Sequence, residues 1–247
     1  MAKKLKDYYD MKFARDLADK ILAVYPAFGE QAFIEHYENN FTDKEFLQRQ
    51  DVAVDALDKS LSEDYTENIH VFHRILGEEL TQTEGMFTDG WWLWPIGRYV
   101  EKHGTKNLRV SLDFIKELTK RHTGEFAIRP LLMQFPKETV SEMLTWSVHE
   151  SVHVRRLSGE GMRIRLPWAK KIYVCLDEFD SYKQILTNLK NDLSKFVQKS
   201  VGNNLNDLMK ERPEKAMEII AEWQKNNPTK QTLWIIKHGM RSERKKK

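Results

Sequence analysis

The sequence has 247 residues, 40% of them hydrophobic and 31% charged, a composition typical of an ordinary globular protein with one large domain or two small ones. Its apolar stretches are far shorter than the roughly 20 residues of a membrane span, and the N-terminus leads into no apolar segment of the secretory type. A single cysteine, Cys175, excludes an internal disulfide and a cysteine-built zinc site. We therefore expect a cytoplasmic protein.

The charge of the chain is unevenly distributed. The net charge is only +3, but residues 1–120 hold 16 basic and 22 acidic residues, whereas residues 121–247 hold 24 basic and 15 acidic residues. Without the basic residues 244–247 the second half still carries an excess of positive charge. Such an excess provides an electrostatic surface for a polyanion, although a solvated surface with a disordered tail is the alternative.

Most of the chain has the periodicity of amphipathic helices, with apolar residues recurring every three or four positions. Glycine and proline are sparse, with 11 and 7 residues. Many helices with short connections and no strands predict an all-α bundle or a helical repeat. The predicted helices are Lys12–Val24, Glu30–Asn40, Lys44–Leu61, Thr66–Leu80, Ile96–His103, Asn107–Arg121, Glu125–Gln134, Lys137–Val148, Val152–Met162, Asp180–Lys190, Leu193–Glu211, Pro213–Asn226 and Gln231–Arg241.

Self-similarity favours the repeat over the bundle. The segment His153-Val-Arg-Arg-Leu-Ser-Gly is echoed 43 residues later by Phe196-Val-Gln-Lys-Ser-Val-Gly, and again by Trp234-Ile-Ile-Lys-His-Gly. Periods of roughly 40–47 residues are typical of HEAT-type pairs of antiparallel helices, which stack into a solenoid with a concave face for a long ligand. We predict a single domain over 1–247, with less regular helices in 1–120, clearer repeats in 121–241 and a basic tail at 242–247.

Tryptophans occur in two places where they could serve as nucleic-acid contacts. Trp91, Trp92 and Trp94 precede a proline, and Trp168 lies close to several basic residues. Aromatic rings near cations can stack on bases or sugars, although core packing is the commoner role of tryptophan. We select Trp92 and Trp168 as candidate contacts.

Glu125 follows Thr123-Gly124 and is predicted to lie in the first turn of a helix. Thr123 would be the N-cap, and an acid in the first turn gains about 0.3–1 kcal/mol from the helix macrodipole. Taken alone, these residues indicate a structural role for Glu125.

Residues 149–153 match the H-E-x-x-H pattern of zinc peptidases. That chemistry requires both histidines on one continuous helix, with the glutamate activating a zinc-bound water. His149 and His153 instead straddle the turn predicted between two helices, and such a turn would break the required geometry.

The segment from Ser151 to Leu176 contains six basic residues and one acid, Glu160, between Gly159 and Gly161. A glycine inside a helix costs about 1 kcal/mol relative to alanine and is tolerated where a backbone must come close to another group. A lone carboxylate in a basic patch fits a site that grips phosphates and presents negative charge to a cation. An intrahelical ion pair of Glu160 with Arg156 or Arg163 is the equally weighted alternative.

The helix predicted over Leu193–Glu211 has a polar face opposite its apolar stripe. Ser200, Asn203, Asn204 and Asp207 share that face, although asparagine and aspartate are poor helix formers. Short polar side chains of this kind can contact sugar and phosphate. A hydrogen-bond network between helices is the alternative.

Three blocks of the sequence stand out together. They are Thr123-Gly-Glu-Phe-Ala-Ile-Arg-Pro-Leu-Leu, His153-Val-Arg-Arg-Leu-Ser-Gly-Glu-Gly-Met-Arg-Ile-Arg-Leu-Pro-Trp-Ala and Val197-Gln-Lys-Ser-Val-Gly-Asn-Asn-Leu-Asn-Asp. These blocks resemble the AlkC branch of the AlkC/AlkD DNA alkylation repair glycosylases, and the likeness extends over nearly the whole chain. Within the middle block, Ser158 and Ile164 depart mildly from the usual pattern, which has alanine and proline there.

The resemblance implies a HEAT-like protein that binds alkylated double-stranded DNA and hydrolyses the N-glycosidic bond of N3-methyladenine-type lesions, without a metal, a cofactor or an obligate protein partner. The family's catalytic carboxylates correspond to Glu125, Glu160 and Asp207. The residues expected to bind DNA are Arg155, Arg156, Arg163, Arg165, Lys199, Asn203, Trp92 and Trp168.

Two other functions remain open at this point. The first alternative is a noncatalytic HEAT-repeat protein that binds DNA, against which the acidic residues at 125, 160 and 207 argue. The second is the zinc peptidase of the 149–153 motif.

Overall fold

The computed structural model describes residues 3–83, 87–225 and 227–244. Within them the regular secondary structure is helical, and no strand is present. The chain divides into two compact units, Met1–Ala127 and Ile128–Lys247. None of the helices in this described part is long and apolar enough to cross a membrane.

Several helices of the first unit begin at a short polar side chain that caps them. The carboxylate of Asp10 accepts a hydrogen bond from the backbone N–H of Phe13 at 3.0 Å, and that of Asp64 accepts one from Thr66 at 2.7 Å. Such caps satisfy N–H groups that have no partner within the helix. The helices are α1 (Met11–Val24), α2 (Glu30–Asn40), α3 (Phe46–Ser60), α4 (Tyr65–Ile75), α5 (Trp94–His103) and α6 (Leu108–Thr119).

The apolar faces of these helices form a core rich in aromatic side chains. Fully burying one such side chain contributes about 1.5–3 kcal/mol, so the core supplies most of the favourable free energy of folding in this unit. Its buried residues include Phe13, Leu17, Ile21, Phe33, Tyr37, Leu57, Phe72, Ile96 and Ile115.

The second unit is built around its longest helix, α12, which contacts α9, α13 and α14. Proline begins two of its helices, at Pro136 and Pro213, where the missing N–H costs nothing. The helices are α7 (Ile128–Gln134), α8 (Pro136–Trp146), α9 (Val152–Glu160), α10 (Val174–Asp177), α11 (Phe179–Leu189), α12 (Lys195–Glu211), α13 (Pro213–Gln224), α14 (Lys230–Gly239) and α15 (Arg241–Arg244).

The all-α class predicted from the sequence is confirmed, and most helix ends agree with the prediction within two residues. The helix predicted to reach Leu80 ends at Ile75, close to Gly77, whose φ of +75° is a conformation that favours glycine. The short helices α10 and α15 were not predicted. In the predicted basic tail, residues 242–244 lie in α15 and residues 245–247 lie outside the described part; Asn226, the predicted end of α13, is also outside it.

Candidate functional site

One arginine links two buried carboxylates in the second unit. Nη1 of Arg163 lies 2.8 Å from Oε1 of Glu160, and its Nε lies 3.0 Å from Oδ2 of Asp207. Glu160 is 5% exposed and Asp207 3% exposed. The last residue of α9 and the middle of α12 are therefore joined through a guanidinium group, which brings two of the three predicted catalytic carboxylates together.

Glu160 keeps its charge because of its two arginine neighbours. Burial raises the pKa of this carboxyl, but the positive charges of Arg156 and Arg163 outweigh it, so that the pKa lies below its ordinary value. The carboxylate also sits at the C-terminal end of α9, where the helix dipole disfavours negative charge. Both ion pairs that the sequence offered as the structural alternative are present, with Nη2 of Arg156 at 3.3 Å and Nη1 of Arg163 at 2.8 Å from Oε1.

Gly161 allows the segment after Glu160 to pass close to α7. A Cβ atom at this position would lie 2.7 Å from Cγ2 of Ile128, a distance that real Cβ atoms do not adopt. The expectation that a glycine beside Glu160 marks a close approach is thus met at Gly161, by packing within the protein.

Asp207 holds the segment after α9 against α12. Its Oδ2 accepts a hydrogen bond from the backbone N–H of Arg165 at 3.2 Å as well as from Nε of Arg163. Nε of Arg165 lies 2.7 Å from Oε1 of Glu211, one turn further along α12, and Nζ of Lys171 lies 2.8 Å from the same oxygen. The hydrogen bonds from Lys171 and Arg165 lower the pKa of Glu211 to about 2.

Arg129 fixes the same segment from α7, a role that the sequence analysis did not assign. Its guanidinium group is buried and donates to the backbone oxygens of Gly161 at 3.2 Å, Arg163 at 2.9 Å and Lys170. The available signal was a basic residue within the apolar run Ile128–Leu132, inside a block quoted for the family resemblance. A buried cation of this kind requires acceptors, and the carbonyls supply them.

The segment presents Trp168 to solvent in a strained backbone conformation. Trp168 has a φ of +63° and is 64% exposed. A left-handed conformation in a bulky residue costs about 1–3 kcal/mol and is found mainly at functional sites. An exposed aromatic ring held out in this way has the form of a stacking platform.

Glu125 lies in a turn of the first unit, so its predicted position in the first turn of a helix is wrong. Residues 125–127 form a turn, and α7 begins only at Ile128. The carboxylate is buried and accepts the hydroxyl hydrogen of Thr123 at 2.9 Å, while the backbone N–H of Glu125 donates back to that hydroxyl at 3.3 Å. These two hydrogen bonds close a turn around Gly124, so Thr123 does not act as the N-cap of a helix.

The turn around Glu125 lies beside aromatic rings. The ring of Trp94 lies 5.2 Å from that of His122 and 5.7 Å from that of Phe126, the latter in a stacked arrangement. The residues on either side of Glu125 are therefore packed against α5.

Residues 122–242 match the family model described as "DNA alkylation repair enzyme". The chain is 31% identical over 246 residues to YhaZ of Bacillus subtilis, an uncharacterized protein, and this covers 98% of the chain and 65% of YhaZ. It is 30% identical, with a TM-score of 0.85, to the structure of the Pseudomonas fluorescens alkylpurine DNA glycosylase AlkC bound to DNA containing an abasic site analog, covering 99% of the chain and 66% of that protein. The chain is thus similar to AlkC-type DNA alkylation repair proteins.

The likeness also identifies the fold. The HEAT-like architecture of antiparallel helix pairs, predicted from the repeated segments, is confirmed. The chain spans about two thirds of the length of each of these two relatives.

In this chain, each of the four arginines predicted to bind DNA contacts a carboxylate of the chain itself. Nε of Arg155 lies 2.6 Å from Oδ2 of Asp192. Arg156 and Arg163 contact Glu160, and Arg165 contacts Glu211. Arg155 and Arg165 are also partly exposed. Contact of these arginines with phosphate stays a prediction.

The other predicted contacts have different surroundings. Lys199 is exposed on α12, and Asn203 is half-buried one turn further on. Trp92 is half-buried with Nζ of Lys20 5.0 Å from its ring centroid. Asn204 belongs to a network between helices, since it donates to the carbonyl oxygen of Gly159 at 3.0 Å and accepts from Tyr182 at 3.1 Å.

The peptidase motif does not form a metal site. His149 lies in the turn between α8 and α9, where its Nδ1 accepts the N–H of Ser151 at 2.9 Å, whereas His153 is buried within α9 against Phe196. The two histidines therefore do not share a continuous helix. No group of three or more potential metal ligands of the His, Cys, Asp or Glu type occurs among the described residues.

Proposed function

We propose that this chain is a monofunctional DNA glycosylase that hydrolyses the N-glycosidic bond of cationic N3-alkylated bases, with 3-methyladenine as its main substrate and 3-methylcytosine as a second candidate. The observation that carries the proposal is the buried, ionised Glu160, held by Arg156 and Arg163. The family match and the likeness to AlkC support it. We expect the protein in the cytoplasm, associated with the nucleoid when bound to DNA.

The chemistry of the lesion explains why a carboxylate with a low pKa suits the site. A base alkylated at N3 carries a positive charge, so the electron pair of the breaking C1′–N bond neutralises it as it leaves. No acid is needed to protonate it. The sugar becomes oxocarbenium-like, as in glycoside hydrolysis, and water adds to C1′ and gives up a proton. The demand on the protein is negative charge near C1′ and a placed water.

Glu160 meets the first demand as a fixed negative charge. Its arginine partners keep it deprotonated and hold its position, and a preorganised charge costs no reorganisation when the bond breaks. Arg163 acts as a positioning residue in this scheme, because its two ion pairs fix the carboxylates of Glu160 and Asp207. Removing one such charge typically lowers the rate by about 10²–10³-fold.

Glu125 and Asp207 are the candidates for placing the attacking water. Glu125 supplies a negative charge and accepts a hydrogen bond from the hydroxyl of Thr123. Asp207 already accepts from Arg163 and from the backbone of Arg165. Either carboxylate can act as the base that receives the proton of the attacking water, and no lysine is assigned as a Schiff-base nucleophile, so we expect no cleavage of the DNA strand.

The DNA is held through its phosphates by the basic residues of the second unit. Lys199 and the exposed parts of Arg155 and Arg165 can reach a phosphate while their carboxylate partners stay in place. Trp168 adds a surface for stacking against the sugar or base. Since each neutralised phosphate releases counterions, we expect the affinity to fall steeply with salt. The family resemblance favours a target base that stays in the stack.

The experiment is to incubate the purified protein with methylated duplex DNA and to quantify the free bases released. We expect release of 3-methyladenine by the unsubstituted protein and a loss of about 10²-fold or more in Glu160→Gln. Glu138→Gln, which removes an exposed carboxylate from α8, is the matched control. Glu125→Gln and Asp207→Asn, compared at several pH values, test which carboxylate handles the water.

The outcomes separate the competing functions. Release that Glu160→Gln leaves unchanged would keep the activity and overturn the assigned site. Absence of release, together with tight and salt-sensitive binding to duplex DNA, would favour the noncatalytic HEAT-repeat DNA-binding protein instead.

A further inference from the structure

The crossing of α12 and α14 carries a cluster of polar and basic side chains, of which only Lys199 has a role in the proposed function. Oδ1 of Asn203 lies 3.1 Å from Nε2 of His238 and 2.9 Å from Nη2 of Arg241. Because an amide oxygen only accepts, the hydrogen of the imidazole is on Nε2. We call Lys199, Asn203, His238 and Arg241 the α12–α14 cluster.

Gly202 makes room for His238 beside Asn203. A Cβ atom at position 202 would lie 2.7 Å from Cδ2 of His238 and 3.1 Å from its Cβ. The absence of a side chain at this one position therefore allows α14 to approach α12 closely enough for the imidazole to reach the amide. The same glycine belongs to the repeated segment Phe196–Gly202 noted in the sequence.

Aromatic stacking fixes the imidazole from its other side. The rings of Trp234 and His238 are stacked, with centroids 5.0 Å apart and an interplanar angle of 8°. Nζ of Lys195 lies 4.0 Å from the centroid of the Trp234 ring. The histidine is thus held between a ring and an amide, in a position defined before any ligand arrives.

The charged groups that shift the pKa of His238 are all positive. Partial burial lowers its pKa, and Arg241, Lys199 and Arg163 lower it further, so that the ring is neutral at neutral pH. Burial and Arg163 also lower the pKa of Arg241, and only Asp207 acts in the opposite direction. The cluster therefore concentrates positive charge and favours an anion.

The donors of the cluster suit a phosphate. Among the described residues, the Nδ2 group of Asn203 has no acceptor, since both contacts of the amide are made by Oδ1. Lys199 is exposed on the same face of α12, and Arg241 and His238 are half-buried. Guanidinium, ammonium and amide N–H groups are the side-chain donors that usually contact DNA backbone phosphates.

We propose that the α12–α14 cluster binds a backbone phosphate of the DNA and that His238 takes up a proton when it does so. The proposal rests on the proposed function only for the identity of the polyanion. A phosphate beside the cluster supplies the negative charge that is missing there and raises the pKa of His238 towards or above its ordinary value. The proton is added at Nδ1, so that Nε2 keeps its hydrogen bond to Asn203.

Proton uptake makes the affinity for DNA depend on pH. The favourable contribution is complete below the pKa of the free histidine and is lost as the pH rises through the pKa of the bound one. Between these values, the Kd rises by up to about tenfold for each pH unit. The number of phosphates contacted sets the slope of the affinity with salt.

The first test is the Kd for an unmodified duplex, measured by fluorescence anisotropy at constant ionic strength from about pH 5.5 to 8.5, the range in which histidine titrates. We expect binding to weaken as the pH rises, and His238→Gln, which keeps a donor for Asn203, to remove most of that dependence. Arg241→Gln should weaken binding and reduce the salt slope by about one phosphate. His70→Gln, an exposed histidine on α4, is the matched control.

The second test follows the His238 ring by NMR with and without the duplex. A higher pKa in the complex, absent when the same amount of phosphate is added as the inorganic ion, supports the site. An unchanged pKa, or the same pH dependence in His238→Gln, overturns it while leaving base release as the separate test of the glycosylase. If the unsubstituted protein binds no duplex at all, both proposals fall.

Discussion

The side chain of Arg163 forms one ion pair with Glu160 at 2.8 Å and a second with Asp207 at 3.0 Å, and all three groups are buried. Removing one partner from a buried ion pair typically costs about 3–5 kcal/mol, because a charge is left without compensation. We therefore expect Arg163→Met to lower the free energy of unfolding by an amount in this range. Arg98→Met, which breaks half-exposed pairs with Asp51 and Glu101, is the control and should cost much less.

Urea unfolding at neutral pH measures this prediction. Equal losses in the two variants would mean that Arg163 contributes no more than a half-exposed ion pair, and would contradict its role in holding the two carboxylates.

The stability of the protein should also depend on the charge of Glu160. Its pKa in the folded protein lies below the ordinary value, so its contribution to stability is complete above the pKa of the unfolded chain, near 4.5. That contribution is lost as the pH falls through the lower pKa of the folded state. We expect Glu160→Gln to have a smaller loss of stability below about pH 4.5 than the unsubstituted protein.

Urea unfolding between about pH 3 and 7 checks this point. Glu138→Gln serves as the control. Because the carboxylate of Glu138 is exposed, its removal should not change how the free energy of unfolding falls at acid pH. An equal decrease of the free energy of unfolding with falling pH in the unsubstituted protein and in Glu160→Gln would contradict a lowered pKa at Glu160.

The sequence predicted the helices well because their signals are local. The apolar stripe of α12, with Val197, Val201, Leu205 and Leu208, is readable at helical spacing, and all four residues are buried. The polar partners were not readable in the same way. Asp207 contacts Arg163 across 44 positions of sequence, and this pairing depends on how α9 and α12 cross.

Arg129 and Glu125 show the same limit of sequence-based prediction. The role of Arg129 was not predicted, and the position of Glu125 was predicted wrongly. Arg129 was overlooked because its acceptors are backbone oxygens up to 41 residues away, and such acceptors leave no trace in the sequence. Glu125 was predicted within a helix because Thr123 resembles an N-cap, but the hydroxyl of Thr123 closes a two-residue turn instead. Local propensity favoured the helix, and the reciprocal hydrogen bonds of the turn prevailed.

Trp168 allows the cost of its backbone conformation to be separated from the use of its ring. Asparagine tolerates a positive φ better than alanine, whereas both substitutions remove the indole. We expect Trp168→Asn to be more stable than Trp168→Ala by up to about 1 kcal/mol, and both to bind duplex DNA more weakly by about 1–3 kcal/mol. Thermal unfolding and anisotropy measure the two effects.

Trp223→Phe provides a contrasting control, since the indole of Trp223 is buried and donates a hydrogen bond to Thr187 within the protein. Equal stability of Trp168→Asn and Trp168→Ala would contradict the strain at this position. Unchanged DNA affinity in both would contradict a stacking role for the indole.

Arg129 should control the order of the segment that carries Trp168. Its guanidinium group donates to the carbonyl oxygens of Gly161, Arg163 and Lys170. In Arg129→Met these buried acceptors lose a charged donor, and hydrogen bonds to charged groups are worth about 1.5–3 kcal/mol each before relaxation. We expect faster hydrogen exchange across residues 161–171, lower stability and slower base release.

The decisive comparison is between Arg129→Met and Arg129→Lys. Lysine retains the charge but not the fork that spans several carbonyls, so it should restore part of the stability and less of the protection from exchange. If Arg129→Met exchanged at the unsubstituted rate across residues 161–171 while losing stability elsewhere, Arg129 would support only the packing of α7. Exchange at the α12–α14 crossing should stay unchanged in both variants, because the hydrogen bond of 2.7 Å that joins Asn206 to Gly239 there does not involve Arg129.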